Sequence, residues 1–245
     1  MANSKMETHS GAFECLTLIS ERKLYYLSNE QIEKNINERG YKNDTSLKNV
    51  SYSDLSPRVY EGGLKIWEGC VDLCNYIDST PDQVVFIDKV VLEIGCGAGL
   101  PAILALQKGA KEVFAQDFNQ VVIDCFTKDN FALNNVKVGK YRFFAGDWNE
   151  FKENLGDQKF DIVLSSETIY NEQMYGKFHD LLDTALKPDG LILIAAKLYY
   201  FGVGGNVPGF LDYVKNRNKF DFHICWTSDS DVPRKIIQLT RKMVH

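Results

Sequence analysis

Gly95-Cys96-Gly97-Ala98-Gly99 follows the apolar run Val90-Val91-Leu92-Glu93-Ile94 and precedes a helical pattern. Glycines between a buried strand and a helix let the chain turn sharply and bring its backbone close to a ligand. The loop lacks the Gly-Lys-Ser/Thr of a P-loop and the third spaced glycine of a dinucleotide site. Gly95 and Gly97 therefore locate a nucleotide-like ligand without naming it. Glu93 is an acid near the end of an otherwise apolar strand, and could pair with the ammonium of a bound amino acid or brace the loop. Asp117, in Gln116-Asp117-Phe118, lies about twenty residues further on, where an acid accepts hydrogen bonds from ribose hydroxyls. It could also cap the helix that follows.

Three further clusters extend the site. Gly146-Asp147-Trp148 sets an acid beside an aromatic ring. That suits adenine, with the carboxylate or nearby backbone at the exocyclic amine and the ring as a wall; Trp148 could also fill core. With Asp117, this points to S-adenosylmethionine rather than NAD. Glu167, in Ser165-Ser166-Glu167-Thr168-Ile169-Tyr170, is the candidate polar group facing a substrate, or a carboxylate at a helix start. Ile66-Trp67-Glu68-Gly69-Cys70 could cover the cofactor from the side, although the spacing of Trp67 also fits a buried helix anchor. Tyr199-Tyr200-Phe201 runs into Gly202, Gly204 and Gly205, as a substrate loop that must bend would.

The elements needed to position these residues are legible. Leu64, Trp67, Val71, Cys74 and Ile77 fall at helical spacing, so 64–77 predicts an amphipathic helix. Val84–Ile87 is a short apolar run. Predicted strands cover 89–94, 112–116, 141–145, 160–165 and 190–196, and predicted helices 100–108, 119–130, 174–187 and 207–218. Gly109 caps the first of these helices, and Lys187-Pro188-Asp189-Gly190 closes the third. Five strand–helix alternations imply a doubly wound, mostly parallel α/β sheet with right-handed crossovers and its ligand at the carboxyl ends of the strands. A last pair, 222–227 and 235–241, must run antiparallel across a short turn. Residues 1–52 predict a polar lead, partly mobile or helical, with a helix at 28–39 capped by Ser28 or Asn29. The folded domain is expected from Ser53 to the end at His245.

Composition bounds the partners. The 245 residues are 44% hydrophobic and 25% charged, with a net charge of −5. One α/β domain fits that length. The negative charge disfavours tight non-specific nucleic-acid binding through one basic face, but would steer toward a basic protein; no direct sequence-specific nucleic-acid binding is expected. No apolar run is long enough to cross a bilayer, and Met1–Lys5 lacks the apolar stretch of a signal peptide. Six scattered cysteines without a CxxC pair fit free thiols in a reducing compartment. Cys70 and Cys74, one helical turn apart, read as core packing, and no metal site is expected.

Glu61–Glu68, the glycine loop, Gln116–Asn119, Phe143–Trp148, Ser166–Asn171 and Tyr200–Gly205 together resemble the eukaryotic histidine protein methyltransferases, over about residues 55–243. Ser-Glu-Thr-Ile-Tyr and Tyr-Phe-Gly-Val-Gly-Gly are the specific stretches. The resemblance implies a seven-strand, Rossmann-like class I fold with an antiparallel last strand. It implies a monomeric, cytoplasmic and nuclear enzyme that uses S-adenosylmethionine to methylate a histidine of a large-subunit ribosomal protein. By position, Ile66, Trp67, Glu68, Gly69, Cys70, Gly95, Gln116, Asp117, Phe118, Gly146, Asp147, Trp148 and Ser166 would hold the cofactor. Glu167 would hydrogen-bond the substrate ring nitrogen that is not methylated, and Tyr170 with Tyr199, Tyr200 and Phe201 would frame the ring. The lead before Tyr60 is shorter than the family pattern, and 130–141 is compact where relatives carry an insertion. A lysine acceptor, a small-molecule acceptor, and a non-catalytic assembly factor keeping the fold stay open.

Overall fold

The computed structural model describes residues 6–9, 11–44, 47 and 61–243; the expected domain start at Ser53 lies outside them. The chain begins with three antiparallel strands, β1 (Met6–His9), β2 (Phe13–Thr17) and β3 (Lys23–Leu27). Helix α1 (Asn29–Glu38) follows, with Ser28 as its N-cap. The helix agrees with the sequence reading, while the strands replace a lead expected to be mobile or helical. Each strand is five residues or shorter, so its alternation is too brief to register as a pattern. The unit is nevertheless well anchored. Cys15, Leu16, Leu24 and Tyr26 are buried, and Ser20 N–H donates to the buried Asp78 carboxylate at 2.9 Å.

Helix α2 (Glu68–Ser79) starts four residues later than its periodicity suggests, because Gly62–Trp67 is drawn into the ligand pocket instead. Phe86 is buried in the 84–87 run, which forms no strand. Then come β4 (Val90–Ile94), α3 (Leu100–Gln107) and β5 (Glu112–Asp117). The expected helix at 119–130 is broken into α4 (Gln120–Val122), a π turn (Ile123–Thr127) and α5 (Lys128–Leu133). Strand β6 (Tyr141–Ala145) leads to α6 (Trp148–Asn154), a helix that the sequence reading did not include. Strand β7 (Phe160–Ser166), α7 (Tyr175–Ala185), β8 (Leu186–Lys197), α8 (Val207–Arg217), β9 (Phe220–Thr227) and β10 (Arg234–Arg241) complete the chain. Lys187-Pro188-Asp189-Gly190 lies inside β8 rather than in a turn before it.

The seven strands lie in the order β6-β5-β4-β7-β8-β10-β9. The first five are parallel, and β10 runs antiparallel between β8 and β9. Alternate residues face opposite layers, as strands buried on both faces require. Val91, Val113 and Leu164 pack with α2, α3 and the N-terminal unit, whereas Leu92, Phe114 and Val163 pack with α6, α7 and α8. Strand order reverses between β4 and β7, which puts the ligand crevice at their carboxyl ends.

One buried group in the second layer makes acid stability testable. His179 is fully buried between the rings of Tyr213 and Phe220, and neither ring nitrogen has a hydrogen-bond partner among the described residues. Burial, with Arg217 assisting, pushes its pKa below the ordinary value against the pull of Asp183 and Asp180. A depressed histidine stabilises the fold above its unfolded pKa, and that contribution fades as pH falls below about 6.5. His179→Leu should therefore lose less stability than the parent between pH 7.5 and 5.5, read as the shift in urea midpoint. Equal shifts would show that His179 does not titrate against folding.

Candidate cofactor and acceptor site

The glycine loop links β4 to α3, and Gly95, Gly97 and Gly99 take φ of 65°, 48° and 73°. Its fold is held from three sides. Gly97 N–H donates to Asp117 Oδ2 at 2.9 Å, Thr127 Oγ1 donates to Gly97 C=O at 2.7 Å, and Cys96 N–H donates to Gln116 C=O at 2.8 Å. Asp117 also accepts from Asn119 N–H at 3.3 Å, so it serves the loop and the following helix start together. Burial pushes its carboxyl up to about 6, opposed by those N–H groups. Asp117 and Phe118 line the crevice along with Gly95, Cys96, Gly97 and Ala98.

Past β6, Asp147 caps α6 by accepting from Asn149 N–H at 2.8 Å, and pairs with Lys177 at 2.8 Å. Burial works against this carboxylate, but the Lys177 ammonium and Asn149 N–H hold it below its usual range. Trp148 lies against Phe178, ring centres 5.1 Å apart, and forms a wall with Asp147, Met174 and Lys177.

The other end is built by β7, α2 and the loop after β8. Glu167 follows β7 with φ of 58° and is buried. Its Oε1 accepts from Gly69 N–H at 3.0 Å, and its Oε2 accepts from the Tyr200 hydroxyl at 2.5 Å. Burial raises the carboxyl above its ordinary value, while the Tyr200 hydrogen bond and Lys197 oppose the rise. A Cβ on Gly69 would sit 2.5 Å from Oε1, so glycine is what lets the carboxylate reach the helix start. Tyr170 meets Tyr200 edge-on at 6.3 Å. Trp67 donates from Nε1 to Gly62 C=O at 3.0 Å, and the ammonium groups of Lys65 and Lys197 lie 4.8 and 5.3 Å from its ring.

One pocket thus gathers Ile66, Trp67, Cys70, Gly95, Gly97, Asp117, Phe118, Asp147, Trp148, Ser166, Glu167, Tyr170 and Tyr200. The remaining candidates stand off its wall, each for a visible reason. Glu68 points to Lys197 at 3.2 Å. Gly69 supports Glu167 from behind. Glu93 sits under the loop, accepting from Ala102 N–H at 2.9 Å with Oε1 unpartnered, which is the bracing alternative. Burial raises its carboxyl well above the usual range, which ill suits the pairing with an ammonium. Gln116 Nε2 donates to Gly146 C=O at 2.8 Å, so both form the floor beneath the crevice. Tyr199 and Phe201 turn outward, 50% and 83% exposed. Of the predicted aromatic triplet, only Tyr200 reaches the interior. Cys70 and Cys74 are both buried on one helix face, with Cys70 also reaching the pocket.

The pocket also uses Glu61, Lys65, Thr168, Met174 and Lys177, which residue-by-residue reading did not select. Lys177 carries no local signal, because its partner Asp147 is 30 positions away in sequence. Along the sheet, the nucleoside-like end lies over β5 and β6 and the acidic, aromatic end over β7 and β8, with the glycine loop between. Such an arrangement can hold an adenosine at one end and present a reacting carbon near Glu167 at the other.

Sheet order and crevice are those of the class I methyltransferase fold. A precorrin-6y C5,15-methyltransferase from Geobacter metallireducens superposes with a TM-score of 0.54 at 15% identity, covering 73% of this chain and 91% of that one. The chain belongs to the lysine methyltransferase family, whose profile matches residues 57–200. Among individual proteins, it is 39% identical over 221 residues to a histidine protein methyltransferase 1 homolog of Bos taurus, covering 78% of this chain and 58% of the relative. A protein of the same name from Dictyostelium discoideum is 35% identical over 198 residues, covering 80% and 63%. The chain thus spans about three fifths of the length of these curated relatives.

The loop that delivers Tyr200 is tightly closed. Gly205 N–H donates to Tyr170 C=O at 2.7 Å, and a Cβ there would lie 2.2 Å from Ile169 O and Tyr170 C. Backbone cannot yield as a side-chain tip does. Gly205→Ala should therefore destabilise the protein by about 3 kcal/mol, the upper range for overpacking, whereas Gly202→Ala should cost less, since nothing lies within 4 Å of its Cβ position. Equal denaturation midpoints for the two variants would contradict this.

Proposed function

We propose that this protein is an S-adenosylmethionine-dependent protein-histidine N-methyltransferase, acting on a large-subunit ribosomal protein in the cytoplasm and nucleus. The observation that carries the reading is the buried Glu167–Tyr200 pair in the wall of the same pocket as the glycine loop. The relatives' shared name supports histidine as acceptor. The crevice fits the cofactor: a carboxylate has about four acceptor sites, so Asp117 keeps capacity for a ribose hydroxyl beyond its backbone hydrogen bonds, and Trp148 offers an adenine wall. The cofactor supplies a methyl group on a sulfonium sulfur, open to in-line attack.

The protein's part is alignment and proton control. A neutral imidazole is already nucleophilic near pH 7. Glu167 accepts a hydrogen bond from its far N–H, which selects the tautomer that leaves the other nitrogen free to attack. The same carboxylate stabilises the imidazolium formed, then takes up its proton. Tyr200 and Gly69 hold the carboxylate in place, and Tyr170 and Trp67 bound the ring.

Mass spectrometry of ribosomal proteins from cells with and without the protein tests the acceptor. A methylhistidine should vanish with the enzyme, and loss of a methyllysine instead would overturn the assignment. Glu167→Gln can still accept from Gly69 N–H, so it should fold and bind cofactor while transfer falls about 10²–10⁴-fold. Unchanged transfer would remove Glu167 from the mechanism. Hydroxyl donors favour ionised Asp117, so cofactor affinity should drop as pH falls below about 6, the value to which burial raises this carboxyl. Asp117→Asn should flatten that profile in titration calorimetry; an unaltered slope would assign the pH dependence elsewhere.

A further inference from the structure

The N-terminal strands and the glycine loop meet in one side chain. Asn130 on α5 is wholly buried; its Oδ1 accepts from Leu27 N–H at 2.9 Å and its Nδ2 donates to Ala98 C=O at 2.9 Å. Leu27 belongs to β3, while Ala98 lies in the pocket wall. Four residues on, Asn134 accepts from Tyr25 N–H at 2.9 Å and donates to Tyr25 C=O at 2.7 Å. Four helical residues rise about 6 Å, and two strand residues span about 6.6 Å. Two amides one turn apart therefore match alternate residues of β3 and cover its open edge as a further strand would.

Helix α1 grips the same broken helix from its other end. Asn35 donates to Cys125 C=O at 3.0 Å and Arg39 donates to Asp124 C=O, both in the π turn. That turn carries Thr127, whose hydroxyl holds Gly97 C=O. Two successive carbonyls of the glycine loop are thus held by side chains of a helix that the N-terminal unit clasps. Single π turns within helices recur at functional sites.

We propose that Asn130 is a positioning residue for the cofactor loop, and that the three-stranded N-terminal unit acts on the cofactor site through it. The proposal rests on the S-adenosylmethionine reading above. Asparagine accepts from Leu27 and donates to Ala98 at once without a change of protonation. Ionised aspartate keeps the first contact and sets an oxygen against the Ala98 carbonyl, so at a pH above its pKa it separates docking of the unit from support of the loop. Asn134→Ala does the reverse, loosening the unit while leaving the Ala98 contact.

The test is calorimetric titration of S-adenosylhomocysteine into the full chain, with thermal unfolding of each variant. Asn130→Asp should weaken binding about tenfold, the equivalent of one buried hydrogen bond. Asn134→Ala should lower the unfolding temperature while affinity stays within about twofold, well below that tenfold step. Thr127→Val, which removes the donor to Gly97 C=O, should weaken binding as Asn130→Asp does, and serves if the aspartate variant does not fold. In the parent, saturating ligand should slow hydrogen exchange at Leu27 N–H by more than at the amides that pair β2 with β3, beyond the uniform slowing that stabilisation of the fold gives every globally exchanging amide. Parent-like affinity in Asn130→Asp and Thr127→Val overturns the proposal, as does affinity that tracks unfolding temperature across all three variants. A parent chain that fails to bind S-adenosylhomocysteine refutes the cofactor reading instead.

Discussion

A single buried carboxylate, that of Glu167, joins the elements that form the end of the crevice over β7 and β8. It stands at the end of β7, meets the first turn of α2 through Gly69 N–H, and receives the Tyr200 hydroxyl from the loop after β8. Its own N–H donates to Ala195 C=O at 2.8 Å, which ties its left-handed backbone to β8. Non-glycine residues adopt that conformation at a cost, and they persist where surrounding contacts over-determine them. Here the contacts come from three elements distant in sequence. The positive end of the α2 dipole also favours a carboxylate at that position.

Burial of acids is managed differently across the site, and the differences sort the residues by role. Asp147 is paired with Lys177 and stays ionised, as a wall residue that caps a helix should. Asp117 is held by the backbone N–H groups of Gly97, Asn119 and Phe118 and raised by burial to about 6, close enough to neutrality for ligand hydroxyls to shift it. Glu167 is raised by burial but receives the Tyr200 hydroxyl and the influence of Lys197, which suits an acceptor of protons. Glu93 has one backbone donor and no cation, and serves the loop from beneath.

The N-terminal unit shows how a small sheet is made part of a larger domain. Three strands of five residues or fewer gain their stability by packing an apolar face on a larger body. Their open edge is closed by amides from α5, their turn by Asp78, and their helix by the π turn. Polar side chains at this junction thus add to the apolar packing of Leu16, Leu24 and Tyr26 against the main core.

Periodicity and local chemistry made most of the parallel core readable in sequence. The strands at 90–94 and 141–145, the glycine loop, Asp117 and the antiparallel closing pair follow from runs of β-branched residues, turn signals and spacing, all of which are local. Glu167 was legible as an acid at the end of a strand. What tertiary structure alone decided is long-range. Tyr200 turns inward while Tyr199 and Phe201 face solvent, because the Tyr200 hydroxyl bonds Glu167, 33 residues away. Glu93 and Gln116 brace rather than line the crevice, since the direction of a strand residue depends on what is packed behind it. The edge of the N-terminal sheet is completed by Asn130 and Asn134, 103 and 109 residues from their partners, a pairing that no local pattern encodes.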